Sequence, residues 1–123
     1  MSCYIVTNNP LVKEEFENTI FVEGSFLDTL TKVRDYVYLG HKLINHPLGA
    51  SIRMLFSPYR SIIIGKDLDS IDEYHVEIIE NSIESYKKHM EVRKPDIING
   101  EDYSLIDREL LVSALKEHES FKN

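Results

Sequence analysis

Two short β-branched runs, each followed by a helical pattern, limit what this chain can fold into. Cys3-Tyr4-Ile5-Val6-Thr7 is apolar at successive positions, so it reads as a strand buried on both faces. Asn8-Asn9-Pro10 breaks it, with asparagine suited to a cap and proline to the first turn of a helix over Leu11 to Asn18. Thr19-Ile20-Phe21-Val22-Glu23 is a second strand, and Gly24-Ser25 turns the chain. Ser25 with Asp28 three residues on resembles a capping box with Asp in the Glu place. Phe26, Leu30, Val33 and Val37 then lie on one stripe of a helix that Gly40 ends. Strand, helix, strand, helix is the signature of a parallel α/β sheet.

Lys42 to Asn45 reads as a short third strand, and His46-Pro47-Leu48-Gly49-Ala50-Ser51 as a loop punctuated by proline and glycine. Ile52 to Phe56 fits neither period, and Ser57-Pro58 restarts an extended segment. Tyr59 to Ile64 is a buried strand that Gly65 closes. The longest helix covers about 71 to 92, where Val76, Ile79, Ile83, Tyr86 and Met90 recur at spacings of 3 and 4. Asp72, Glu73 and Glu77 open it, and Lys87, Lys88, Arg93 and Lys94 close it, as the helix dipole prefers. Lys94-Pro95 stops it and Asn99-Gly100 turns. A last helix, Ser104 to His118, points Ile106, Leu110 and Ala114 inward, with Leu111 a further candidate. The expected fold is α/β, one domain over residues 1–123. It is a small, mostly parallel sheet of about four strands flanked by helices, a Rossmann-like three-layer sandwich.

Charge singles out the middle of the chain. There are 21 acids against 14 lysines and arginines, a formal charge of −7, yet no acid falls between Tyr36 and Lys66. In open parallel sheets, ligands bind beyond the carboxyl ends of the strands. That rule gathers four segments, Thr7-Asn8-Asn9, Glu23-Gly24-Ser25, Asn45-His46-Pro47 and Gly65-Lys66, with Ser51, Arg53, Ser57 and Tyr59 on the covering loops between Leu48 and Tyr59. Helix N-termini at Pro10 and Phe26 would aim free N–H groups at the same edge, where they bind anions. Arg53, Lys66 and Arg60 would add positive charge, so a small anionic ligand is the expected occupant. Taken singly, Asn8 and Ser25 are more often plain helix caps, and the acid-free window is what joins them into a site. His46, before Pro47, is a candidate general acid or base, and a structural histidine bonded to backbone is an equally open reading.

Other functions are excluded or unsupported. One cysteine, Cys3, forms no internal disulfide and no CxxC motif, and in a core strand it reads as inert. His41 and His46 have no acid or cysteine beside them, and Asp67, Asp69 and Asp72 read as helix-start residues, so no metal is expected. GxGxxG, P-loop, HExxH and GxSxG patterns are absent, so no cofactor is expected either. Net acidity argues against nucleic acid. No apolar run approaches the ~20 residues of a membrane span, and MSCYIVTNN lacks a signal-peptide pattern. The expected location is the cytoplasm. The apolar stripe of the long helix leaves monomer and homodimer both open, with packing onto its own sheet preferred.

Several motifs carry a resemblance. Thr7-Asn8-Asn9-Pro10, Val33-Arg34-Asp35, Gly40-His41-Lys42-Leu43, His46-Pro47-Leu48 and Ser57-Pro58-Tyr59-Arg60-Ser61 resemble the GrdX family over roughly residues 4 to 90. These are small proteins encoded beside glycine, sarcosine and betaine reductase genes in anaerobic bacteria. Gly49-Ala50-Ser51 and Met54-Leu55-Phe56 depart from the family pattern, which has a glycine-serine pair and more polar residues there. The resemblance implies an accessory protein with a reductase-system protein as partner, and it brings no catalytic residues. A chain with one cysteine could not perform a dithiol step alone. The leading expectation is therefore an accessory protein that binds a small anion or a partner. The alternative is a small enzyme acting on an anionic metabolite, with His46 as acid or base and Arg53, Arg60 or Lys66 holding the anion.

Overall fold

The computed structural model describes residues 2–49 and 51–121, the side chains of Ile52 and Phe121 excepted; Ala50 of the expected loop lies outside them. The first elements are β1 (Cys3–Thr7), α1 (Pro10–Glu15), β2 (Thr19–Phe21) and α2 (Phe26–Leu39). A 3-10 helix (Ile52–Phe56), β3 (Ser61–Gly65), α3 (Glu73–Val92) and α4 (Gly100–Phe121) complete the order. Gly40 ends α2 at φ 117°, in the left-handed region, and its N–H reaches Val37 O at 3.1 Å.

The sheet corrects the expected fold. Among the described residues it has three strands in the order β2-β1-β3 and is mixed, not a four-strand, mostly parallel Rossmann-like sandwich. β1 and β2 are parallel, with Ile5 opposite Thr19. β1 and β3 are antiparallel, with Cys3 opposite Gly65 and Thr7 opposite Ser61. The expected strand Lys42–Asn45 is one antiparallel bridge, Leu43 to Ile64, extended by Ile44 N–H to Ile63 O at 2.9 Å and Gly65 N–H to Lys42 O at 2.8 Å. The connection explains the reversal. A parallel neighbour needs a crossover, usually a helix, to carry the chain back. After α2 the chain instead climbs along Lys42–Asn45 toward the end where β1 finishes. Between that segment and β1, β3 can then run only in reverse.

Alternation along β1 and β3 divides the core. Val6, Ile62 and Ile64 pack with Phe26, Leu30, Val33 and Val37 of α2 and Ile79 and Ile83 of α3. Cys3, Ile5 and Ile63 pack with Val12 of α1 and Leu111 and Leu115 of α4. Each fully buried aliphatic side chain contributes about 1.5–3 kcal/mol, and the unbroken Ile62-Ile63-Ile64 run serves both faces. The stripe of α3 is used internally, with Tyr86 stacked on Phe26 at 4.6 Å between centroids.

The last helix is turned from its expected setting. Leu111 and Leu115 are buried, whereas Ile106 and Leu110 are each 43% exposed. The inward position one turn before Leu111 is Asp107, only 1% exposed. A reading based on apolar periodicity passes over a carboxylate and so shifts the stripe by one residue.

Candidate functional site

The direction of β3 separates the residues expected to converge. Lys66 lies at the far end of the sheet, where its backbone N–H bonds Ser2 O at 3.0 Å and its ammonium sits 5.4 Å from the Tyr4 ring centre. The segment meeting the carboxyl end of β1 is instead Ser57 to Ser61, at the start of β3.

At that end the polar residues bond one another. Asn8 donates to Gly24 O at 3.0 Å and Pro58 O at 2.8 Å, and accepts Arg60 N–H at 2.9 Å. Asn9 caps α1 through Leu11 N–H at 3.1 Å, accepts from Ser104 Oγ, and donates to Ser104 O and Asp107 Oδ2, both at 3.0 Å. Asp107 also accepts Ser61 N–H at 2.9 Å and the Ser61 hydroxyl at 2.7 Å. With that proton committed, Thr7 Oγ1 donates to Ser61 Oγ at 2.7 Å and accepts Asn9 N–H at 3.0 Å. The chain of donors runs one way into the Asp107 carboxylate. Buried polar groups need partners, and here Asn8 and Asn9 find all of theirs within the protein. Asp107 escaped the sequence reading; its only signal was a polar residue at an inward helical spacing.

The other residues take up separate positions. Ser25 caps α2, accepting Asp28 N–H at 3.1 Å while Asp28 Oδ2 accepts Ser25 N–H at 2.9 Å. Losing such a cap costs about 1 kcal/mol. Ser25→Ala should therefore lower stability in urea unfolding by that amount. Ser57 is buried and closes a turn with Tyr59 N–H at 3.0 Å. Ser51 and Arg53 line a groove of about 500 Å³ shared with Asp96 and Asp102. Tyr59 lines another of about 610 Å³ with Ile97, Ile98 and Leu105.

His46 and Arg60 do meet, in a cleft of about 280 Å³ that Asn45, Gly49, Ser113 and Glu117 also line. Arg60 is 5% exposed. Its Nε donates to Pro47 O at 2.8 Å and its Nη2 to His46 O at 2.6 Å. Among the described residues it has no further side-chain bond and no carboxylate within 4.0 Å. Burial pulls the guanidinium pKa down and the charge of Asp107 pulls it back up. Arginine stays protonated in proteins, so a buried positive charge borders the cleft without an ion-pair partner.

His46 accepts Leu48 N–H on Nδ1 at 3.1 Å, so its neutral ring carries the proton on Nε2. Burial, then the charge of Arg60, hold its pKa below the usual 6.5. Just below pH 6.5 the unfolded chain thus binds the proton more readily than the folded one. The histidine's contribution to stability is full above 6.5 and is lost as pH falls through the folded value. His46→Asn should flatten the pH dependence of the melting temperature between 6.5 and that lower value.

His41 is committed elsewhere, donating from Nδ1 to Gly65 O at 2.8 Å, edge-on to Tyr36. Asp72 caps α3 and pairs with Lys42 at 3.3 Å. Among the described residues, no three or more His, Cys, Asp or Glu side chains are placed to hold a metal ion. No helix there is long and apolar enough to cross a membrane. A family model described as GrdX-like protein matches residues 4–116 of the 123-residue chain. No curated protein and no solved structure matches it.

Proposed function

We propose, from the premise that the chain belongs to the GrdX-like protein family, that it is a non-catalytic accessory protein holding a small anion between His46 and Arg60. On this reading the protein works in the cytoplasm, within glycine, sarcosine and betaine reductase metabolism, with a protein of that system as partner; its family membership supports the reading. The observation that carries the binding reading is Arg60, a buried cation on a cleft with no carboxylate in ion-pair reach among the described residues. Burying a charge without a partner is costly, and an anion in the cleft would offset that cost. His46 supports binding over catalysis. With Nδ1 occupied by Leu48 N–H, the neutral ring offers an Nε2–H donor to an anion and no free lone pair for a general base.

The test is a thermal-shift titration with acetate, phosphate and acetyl phosphate. A ligand at ten times its Kd stabilises the native state by about 1.4 kcal/mol, a rise of about 5 °C for a chain of this size. The expected result is such a rise for at least one anion in the native protein, and none in Arg60→Lys, each measured from its own baseline. No shift with any anion, or an equal shift in Arg60→Lys, would overturn the reading.

A further inference from the structure

The same cleft carries a charge of the opposite sign. Glu117, on α4, lines it together with Arg60 and His46. Glu117 is exposed, and its carboxylate makes no hydrogen bond or ion pair among the described residues. A plain anion entering here is attracted by Arg60 and repelled by Glu117. A ligand with an ammonium group beyond its carboxylate turns that repulsion into attraction. The rest of the lining suits such a molecule. Leu110 and Ala114 supply an apolar surface for a short carbon chain, and the Ser113 hydroxyl is a donor and acceptor. Asn45 spends its Oδ1 on Ile63 N–H at 2.7 Å, leaving its amide donor without a partner among the described residues.

We infer that the cleft takes a small amino-acid zwitterion, its carboxylate on Arg60 and its ammonium on Glu117. This rests on the anion-binding reading of the cleft and narrows the ligand's chemical class. The bidentate fork of arginine matches a carboxylate plane, and an exposed glutamate can approach an ammonium without first being desolvated.

Calorimetric titration with glycine, β-alanine and 4-aminobutyrate varies the separation of the two charges. Acetate and methylammonium each present one of them. In the native protein, the best of the three zwitterions should bind at least tenfold more tightly than acetate. Glu117→Gln, at an exposed position, should abolish that preference while leaving acetate binding unchanged or tighter. Acetate binding as tightly as every zwitterion, or a preference that survives Glu117→Gln, would overturn the zwitterion inference and leave the anion reading standing. No binding by acetate or by any zwitterion would overturn the zwitterion inference, and the anion reading falls with it where phosphate and acetyl phosphate also fail to bind.

Discussion

Asp107→Ala is expected to remove about 3–5 kcal/mol of folding stability, the largest loss among single substitutions near the site. The carboxylate accepts from Ser61 N–H, Ser61 Oγ and Asn9 Nδ2, all buried. Removing it strands those donors and takes away a nearby negative charge that counters only part of the burial of Arg60. At about 4 °C per kcal/mol for a domain of this size, the melting temperature should drop by about 12–20 °C. Asp107→Asn separates the two contributions. Its amide oxygen still accepts Ser61 N–H, but its NH₂ faces donors, so the loss should be smaller yet clearly above 1 kcal/mol. Urea unfolding of both variants checks this, and a loss below about 1 kcal/mol for the alanine variant would contradict the network.

Asn8→Ala should cost about 2–4 kcal/mol. One side chain joins the end of β1 to two segments distant in the chain, the turn at Gly24 and the Pro58–Arg60 stretch just before β3. Its loss leaves Arg60 N–H buried without an acceptor and takes the donor from two carbonyls. The size of the effect distinguishes a strut from a ligand-binding residue. A side chain kept for an external ligand would change stability by no more than about 0.5 kcal/mol when truncated. Denaturant melts of the unliganded protein decide between them.

The local elements were largely legible, because each rests on neighbours in sequence. The β-branched run at Cys3–Thr7, the Ser25–Asp28 capping box and the stop at Gly40 are short-range features. The direction of β3 was not legible. An apolar run such as Ile62-Ile63-Ile64 carries burial but not polarity of direction, and the deciding fact is the climb of Lys42–Asn45 beside it. That one reversal separates Lys66 from the other proposed ligand residues. Asp107 was hidden for a related reason. Its burial depends on partners on β1 and β3, so apolar spacing along α4 alone selects Ile106 and Leu110.

The carboxylate-free window shows how far linear charge can be trusted. No acid lies between Tyr36 and Lys66. In space the window is supplied with acids from the last third of the chain. Asp107 stands near Arg60, Glu117 shares the cleft with His46, and Asp96 and Asp102 share the groove with Arg53. Segregation along the sequence thus produced mixed-charge surfaces, with Arg60 the buried cation among them. Asn45, His46 and Arg60 were named from the sequence; Ser113 and Glu117 were not, because α4 brings them in from more than 50 positions away.

Arg60 itself offers the most direct measurement. Its Nε–H is held by Pro47 O and shielded from solvent, so its side-chain NMR signal should exchange slowly enough to follow. The protein labelled with ¹⁵N-arginine would be titrated with acetate. A saturable shift of the Arg60 guanidinium signals, with exposed Arg53 and Arg93 unmoved, is the predicted result. Signals of Arg60 that stay in place while the exposed arginines drift with salt would contradict an anion site at the His46–Arg60 cleft.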